Sequence, residues 1–165
     1  MRDLVFIDTE TTGLEPKRHQ VWEIAWAVND GPIETVQVPH NLNHAEPAAL
    51  RINGYLDRVT GDTERTGIWW HKHRQLLIDA LRDAHLVGSN PAFDAAMLKP
   101  LLGTPWHHRM IDIASLAMVP LGWDRPRGLA DVANALGVEA PDHTAAGDVH
   151  VLRECYRMLT GGDPS

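Results

Sequence analysis

The stretch FIDTETTGL, Phe6 to Leu14, ends a hydrophobic run with two carboxylates one residue apart and then a glycine turn. In an extended chain, residues two apart project from one face about 6.6 to 6.8 Å along the strand, so Asp8 and Glu10 share a face with Leu4 and Phe6. Two like charges at the edge of a core call for a cation. Two further acids stand where a core is expected. In SNPAFDAAMLKPLL, Asp94 shares a helical stripe with Met97, Leu98 and Leu101, and in the last helical pattern Asp148 is flanked in the same way by Ala145 and Leu152. A single acid on an apolar flank often just reaches the rim or caps a backbone group. Four of them, with no matching lysines and arginines at those positions, point instead to bound metal. His143 stands five residues before Asp148, about 140° around a helix, so the two share no helical face. Pro141, Asp142 and Thr144 put His143 on a loop ahead of the helix, where it can be brought over the same site.

Elements that converge on one place must carry these residues. LVFIDTE reads as the first strand, VWEIAWAV as the second and IETVQV as the third, the last two joined as a hairpin across NDG. From Pro39 to Gly67 the pattern is mixed, a short helix around EPAALRI and then loop. QLLIDALRDA has helical periodicity and HLVG is a short buried strand. SNPAFDAAMLKPLL follows as a helix, with Asn90 as N-cap and Pro91 at the first helical position. HRMIDIASLAM passes from strand to helix, and GLADVANALG is a short helix closed by Gly137. The last helix runs from about Thr144 to Leu159 and buries Ala145, Val149, Leu152, Tyr156 and Leu159. Three strands followed by alternating helix and strand define an α/β fold, a mixed sheet with helices packed on its faces.

With 165 residues, 44% of them apolar, the chain suffices for one core and not comfortably for two. A single domain over residues 1–160 is expected, with a short tail at 161–165. No apolar run is long enough to span a bilayer, and MRDLVFID lacks the basic-then-apolar pattern of a signal peptide. The expectation is a soluble, cytoplasmic protein with no membrane partner. The lone Cys155 forms no internal disulfide, which fits a reducing compartment. A net charge of -7 argues at first against a polyanionic partner. Two divalent cations held by the acids would offset four of those charges and make the site the most positive place on the surface.

FIDTETTGL, VGSNPAFDAAML and HTAAGD, in this order and in these strand and helix contexts, resemble the three exonuclease motifs of the DnaQ-like (DEDD) superfamily. The subgroup is the one whose third motif carries His and, five residues on, Asp (DEDDh). The resemblance runs from Val5 to Tyr156, and VWEIAWAV and RGLADVANALG resemble the family's second strand and penultimate helix. It implies a ribonuclease H-like mixed sheet with helices on both faces and the second strand antiparallel to its neighbours. The implied activity is a metal-dependent 3′–5′ exonuclease that releases nucleoside monophosphates from single-stranded DNA ends, most like the proofreading subunit of a bacterial replicase. An exoribonuclease or oligonucleotide-trimming enzyme is the alternative, and an inactive nucleic-acid-binding or polymerase-binding module a third reading. The implied partners are a single strand with a free 3′ end and a DNA polymerase.

By the same resemblance, Asp8, Glu10, Asp94 and Asp148 fall on the four metal-site acids and His143 on the general base. Hard oxygen ligands select Mg²⁺ or Mn²⁺ over zinc, and two such ions about 3.5 to 4 Å apart clamp the attacking and leaving oxygens of an in-line displacement at phosphorus. Asp8 would bridge the ions, Glu10 and Asp148 hold the ion that activates water, and Asp94 support the second. Thr11, Thr12, Gly13 and Leu14 match the turn that faces the terminal nucleotide, Gly13 letting backbone approach and Leu14 wedging against the last base. Asn90 and Phe93 in the second motif are further implied substrate contacts. Ser89 departs from the pattern, since many relatives carry histidine there. WWHKHR, Trp69 to Arg74, reads as a helix start with its tryptophans packed inward in preference to a base-stacking strip. His71, His73, His107 and His108 read as solvated histidines, and nothing in the spacing of Arg125 and Arg127 requires a substrate contact.

Overall fold

A computed structural model describes residues 2–59, 61 and 63–161, without the side chains of Thr63 and Arg65; the expected tail lies outside the described residues from 162 onward. Strand β1 (Leu4–Thr11) pairs antiparallel with β2 (Val21–Val28), which pairs antiparallel with β3 (Glu34–Gln37). The turn after β2 uses Asn29 with φ of 49°, a conformation asparagine tolerates because its amide can bond locally. Here Asn29 Oδ1 accepts from the Leu4 N–H at 2.9 Å, which ties the hairpin to the start of β1. On the other side β1 pairs parallel with β4 (His85–Gly88), and β4 with β5 (Ile111–Asp112), giving the order β3-β2-β1-β4-β5. The fold is the expected α/β mixed sheet with an antiparallel second strand.

Two apolar layers follow from the alternation along β1. Val5 and Ile7 pack with Leu77 and Leu81 of α3 (Thr63–Leu81) and with Met97 and Leu98 of α4 (Pro91–Leu102). Phe6 points the other way, into a cluster with Ile113 of α5 (Ile113–Leu116), Val132 of α7 (Leu129–Leu136) and Val149 and Leu152 of α8 (Ala145–Thr160). Helices therefore cover both faces. The Phe6 ring meets Tyr156 edge-on at 5.4 Å, a favoured aromatic geometry. Short helices α1 (Pro47–Ile52), α2 (Tyr55–Arg58) and α6 (Met118–Leu121) complete the chain. No helix among the described residues is long and apolar enough to cross a membrane.

Three local expectations are corrected. Helix α3 starts at Thr63, well before QLLIDALRDA, so part of the expected loop is helical. Thr66, Trp70, His73, Leu77 and Leu81 form its inward stripe, and the buried threonine and histidine hid its apolar period. WWHKHR is thus the middle of a helix, with Trp70 against the core and Trp69 47% exposed, its ring stacked on the buried His73 at 5.1 Å. Pro91 does occupy the first turn of α4, but Asn90 makes no side-chain cap: its φ of 62° and ψ of 57° turn it left-handed, and its N–H donates to Asp112 Oδ1 at 3.1 Å.

Candidate active site

Asp8 and Glu10 follow Phe6 on the α8 side of β1, opposite Ala25 and Glu23 of β2. Asp148 lies in the first turn of α8, which packs across that face, where the positive end of the helix favours a carboxylate. Asp94 comes from the first turn of α4 on the other face and is 3% exposed. Thr9, between the two strand acids and pointing to that other face, donates Oγ1 to Asp94 Oδ1 at 2.8 Å.

The four acids act on one another electrically. Burial and then the charges of Asp94, Asp148, Glu10 and Glu23 hold the Asp8 carboxyl well above the usual carboxylate range. Burial and Asp148 push Glu10 up to about 8, against relief from Arg58 and Asn53. Burial raises Asp94 to about 7 despite the Thr9 hydrogen bond, and raises Asp148 to about 6 despite the nearby His143. Such a donor set, all hard oxygen and short of positive charge, fits a divalent cation. Among the described residues no three His, Cys, Asp or Glu side chains form a closed cage for a single ion. That matches the way Mg²⁺ is usually held, by one or two carboxylates with water and substrate oxygens completing the shell.

His143 is exposed on the loop ahead of α8, as its neighbours indicated, in a left-handed conformation with φ of 59°. Asp142 and Thr144 build this corner. Asp142 Oδ1 accepts from the Thr144 N–H at 2.9 Å, and Thr144 Oγ1 caps the helix by accepting from the Gly147 N–H at 3.0 Å. A Cβ at position 147 would run into the Asp142 carboxylate, so any side chain there would displace the group that bonds Thr144. The His143 N–H donates to Asp148 Oδ1 at 3.2 Å, so this loop is tied directly to the acid.

The turn after Glu10 differs in detail from what its motif suggested. Thr11 and Thr12 are buried, and their hydroxyls are used within the turn: Thr11 Oγ1 donates to the Gly13 carbonyl at 2.8 Å, and Thr12 Oγ1 accepts from the Gln20 N–H at 2.9 Å. What the turn presents outward is Leu14, 71% exposed, while Gly13 is buried with the two threonines. Glycine at 13 has an internal reason, since a Cβ would lie 2.6 Å from the buried His19 ring. Phe93 is half-buried against the α3–α4 layer.

Sequence reasoning missed Glu23, Asn53 and Arg58. Glu23 is a fifth acid at the site, 5% exposed, and it forms an ion pair with Arg58. The signal for Glu23 was available: it is the sole charge in VWEIAWAV. Nothing local marked Arg58 or Asn53, which sit in the stretch of mixed pattern.

Comparison with known proteins extends these observations. The exonuclease family RNase_T matches residues 5–156. The chain is similar to an oligoribonuclease of Mycobacterium avium (strain 104), 28% identical over 173 residues that cover 91% of this chain and 76% of that protein. An oligoribonuclease of Klebsiella pneumoniae is 25% identical over 142 residues, covering 73% of this chain and 76% of that protein. Among solved structures, E. coli exonuclease I in complex with a dA16 oligonucleotide superposes with a TM-score of 0.69 at 18% identity, over 99% of this chain and 42% of that one. The chain therefore spans less than half the length of exonuclease I. The Mg²⁺- and Mn²⁺-bound form of S. pombe Pop2p superposes with a TM-score of 0.68 at 16% identity, over 93% of this chain and 81% of that one. The structural likenesses bear on the fold, and the family match takes in the strand of Asp8 and Glu10, the helices of Asp94 and Asp148, and the loop of His143. The chain belongs to the exonuclease family, as a DnaQ-like 3′–5′ exonuclease of ribonuclease H-like fold.

Proposed function

We propose that this enzyme trims short single-stranded oligoribonucleotides from the 3′ end, releasing nucleoside monophosphates, with Mg²⁺ or Mn²⁺ as its cofactor. The observation that carries the reading is the set of mutually repelling acids, Asp8, Glu10, Asp94 and Asp148, beside the loop of His143. DNA ends, the first substrate suggested by the motifs, give way to RNA because the relatives recognised by sequence are named oligoribonucleases. The exonuclease I likeness, at 18% identity, supports the fold alone. A polymerase partner has no support from these relatives. The acids, the His143 loop and the Thr11–Leu14 turn all belong to one domain, residues 1–160.

Asp8, Glu10, Asp94 and Asp148 are the residues that would hold the cations, two in number. When bound, the metal lowers the pKa of a water and offsets charge at the phosphate. The water oxygen attacks phosphorus, its proton passes to a ring nitrogen of His143, the bond from phosphorus to the 3′ oxygen of the preceding nucleotide breaks, and that oxygen takes a proton from solvent water to leave a 3′-hydroxyl. Asp148 also holds the His143 backbone, through Oδ1, in place for that transfer. Thr9 fixes one oxygen of Asp94. Leu14 packs on the terminal base, and Phe93 of α4, with Asn90 just ahead of that helix, borders the terminal nucleotide.

Matched 5′-labelled RNA and DNA strands, short and long, with Mn²⁺ or with excess EDTA, test the reading. A descending ladder that is fastest on short RNA and absent in EDTA is the expected result. Faster degradation of DNA would return the substrate to the first reading, and cleavage of a closed circular strand would overturn the exonuclease polarity.

A further inference from the structure

The proposed chemistry leaves the Glu23–Arg58 pair without a role. Glu23 sits directly across from Glu10 in the β1–β2 ladder, so it adds negative charge where charge is already in excess. Its partner ends α2, and the two side chains are 7% and 23% exposed. A surface pair placed for solubility would not be buried in this way.

Arg58 reaches much further than Glu23. Its Nη1 donates to the carbonyl of Asn53 at 2.7 Å and to the carbonyl of His143 at 3.4 Å, and its guanidinium lies 5.0 Å from the centre of the Trp22 ring. Asn53 in turn donates Nδ2 to the Thr11 carbonyl at 3.0 Å. One side chain therefore links the strand of Glu23, the turn that follows Glu10 and the loop of His143. That loop needs holding: His143 is a non-glycine residue with φ of 59°, a conformation that persists where the surroundings impose it. Both backbone polar groups of His143 are tied, its N–H to Asp148 and its C=O to Arg58.

We propose that Arg58 is a positioning residue for the exonuclease reaction: clamped by Glu23, it holds the His143 loop in register with the Thr11–Leu14 turn. This rests on the role given to His143 above. Arginine suits the task because its planar fork serves a carboxylate and two carbonyls at once, whereas lysine offers a compact charge that cannot span them. Glu23 supplies the counter-charge that allows a guanidinium to stand among acids without drawing their carboxylates into pairs. The pair thus separates the fifth acid from the four that are left for metal.

The test compares Arg58→Lys and Arg58→Ala with the parent, each also in a His143→Ala background. Arg58→Ala leaves Glu23 buried without a partner, so Arg58→Lys, which keeps a cation there, decides the matter if the alanine variant does not fold. In the parent background kcat is expected to fall about 10-fold for lysine and up to about 10²-fold for alanine, with KM nearly unchanged. In the His143→Ala background neither change should lower kcat further. An equal loss in both backgrounds, or a rise in KM with kcat kept, would overturn positioning in favour of a structural or a direct substrate-binding role. Amide exchange in metal-free protein gives a reading independent of turnover: both variants should speed exchange of the His143 N–H while the interior of α8 keeps its protection. Unchanged exchange at His143 would refute the proposal even in an active enzyme. Inactivity of the parent on every strand would refute the exonuclease reading and leave the exchange result to judge the tether.

Discussion

Replacing Glu10 with glutamine should stabilise the metal-free protein while abolishing its activity. The Glu10 carboxyl is displaced from 4.5 to about 8, chiefly by burial and next by Asp148. Its folded value lies above its unfolded value, so the folded state holds the extra proton between these limits. Stability is then highest near the lower limit and is lost as pH rises through the window. At about 1.4 kcal/mol per pH unit the whole displacement amounts to about 5 kcal/mol. Glu10 is only half-buried, so solvent screening and the titration of its neighbours reduce this to roughly 2 kcal/mol. For a chain of this size 1 kcal/mol corresponds to about 2 to 4 °C in Tm. Glu10→Gln should therefore melt about 4 to 8 °C above the parent in EDTA at pH 8, an advantage that fades towards pH 5. Mn²⁺ should reverse the order, because it stabilises the protein that keeps its ligand. Melting curves followed by circular dichroism across this pH range decide the point. A Glu10→Gln protein no more stable than the parent at pH 8, or one whose advantage grows as pH falls, would refute the buried, crowded charge on which the metal reading rests.

His143→Ala should lower kcat by about 10² to 10⁴, the range for a positioned general base, and leave Mn²⁺ binding measured by calorimetry unchanged; lost binding would make the residue a ligand instead. Thr9→Val removes the hydroxyl that orients Asp94 and should weaken Mn²⁺ binding about 10-fold to 10²-fold, as expected for an outer partner of a metal ligand; parental affinity would show that Asp94 needs no such support. Gly13→Ala brings a methyl within 2.6 Å of a His19 ring that is pinned where Nδ1 accepts from the Glu15 N–H at 2.8 Å. A loss of about 1 to 3 kcal/mol in urea unfolding is expected, and an unchanged midpoint would mean that the ring can move aside.

The acids were legible because each breaks a local pattern whose period is fixed by geometry. Asp8 and Glu10 replace apolar residues at the alternation of a strand, and Asp94 interrupts the stripe of Met97 and Leu98, so their types and spacing sufficed. The β2–β3 hairpin was legible for a similar reason, since Asn29 can adopt the conformation its turn requires. The early start of α3 was not, because the buried Thr66 and His73 break the apolar period and their burial is decided by the sheet they pack against. Nor was the left-handed Asn90: its N–H is bonded to Asp112, 22 residues away, a contact that no local pattern records. Arg58 depends on partners 35 and 85 residues away in sequence, and no local period records such contacts.

The charges at the site divide in a way that bears on the number of ions. Five acids gather at one end of the sheet, and among the described residues Arg58 makes its ion pair with Glu23 alone. The four without an ion pair among the described residues are the four whose carboxyls are pushed upward, all chiefly by burial and Asp8 and Glu10 also by repulsion from others of the set. Had the fold required only a stable core, apolar residues at these positions would have served better, since buried charges are costly wherever they lack partners. Four carboxylates are balanced by two divalent cations, and an arginine free to pair with Glu10 or Asp148 would upset that balance. The clamp that Glu23 places on Arg58 therefore leaves four carboxylates for the proposed cations while it steadies the His143 loop.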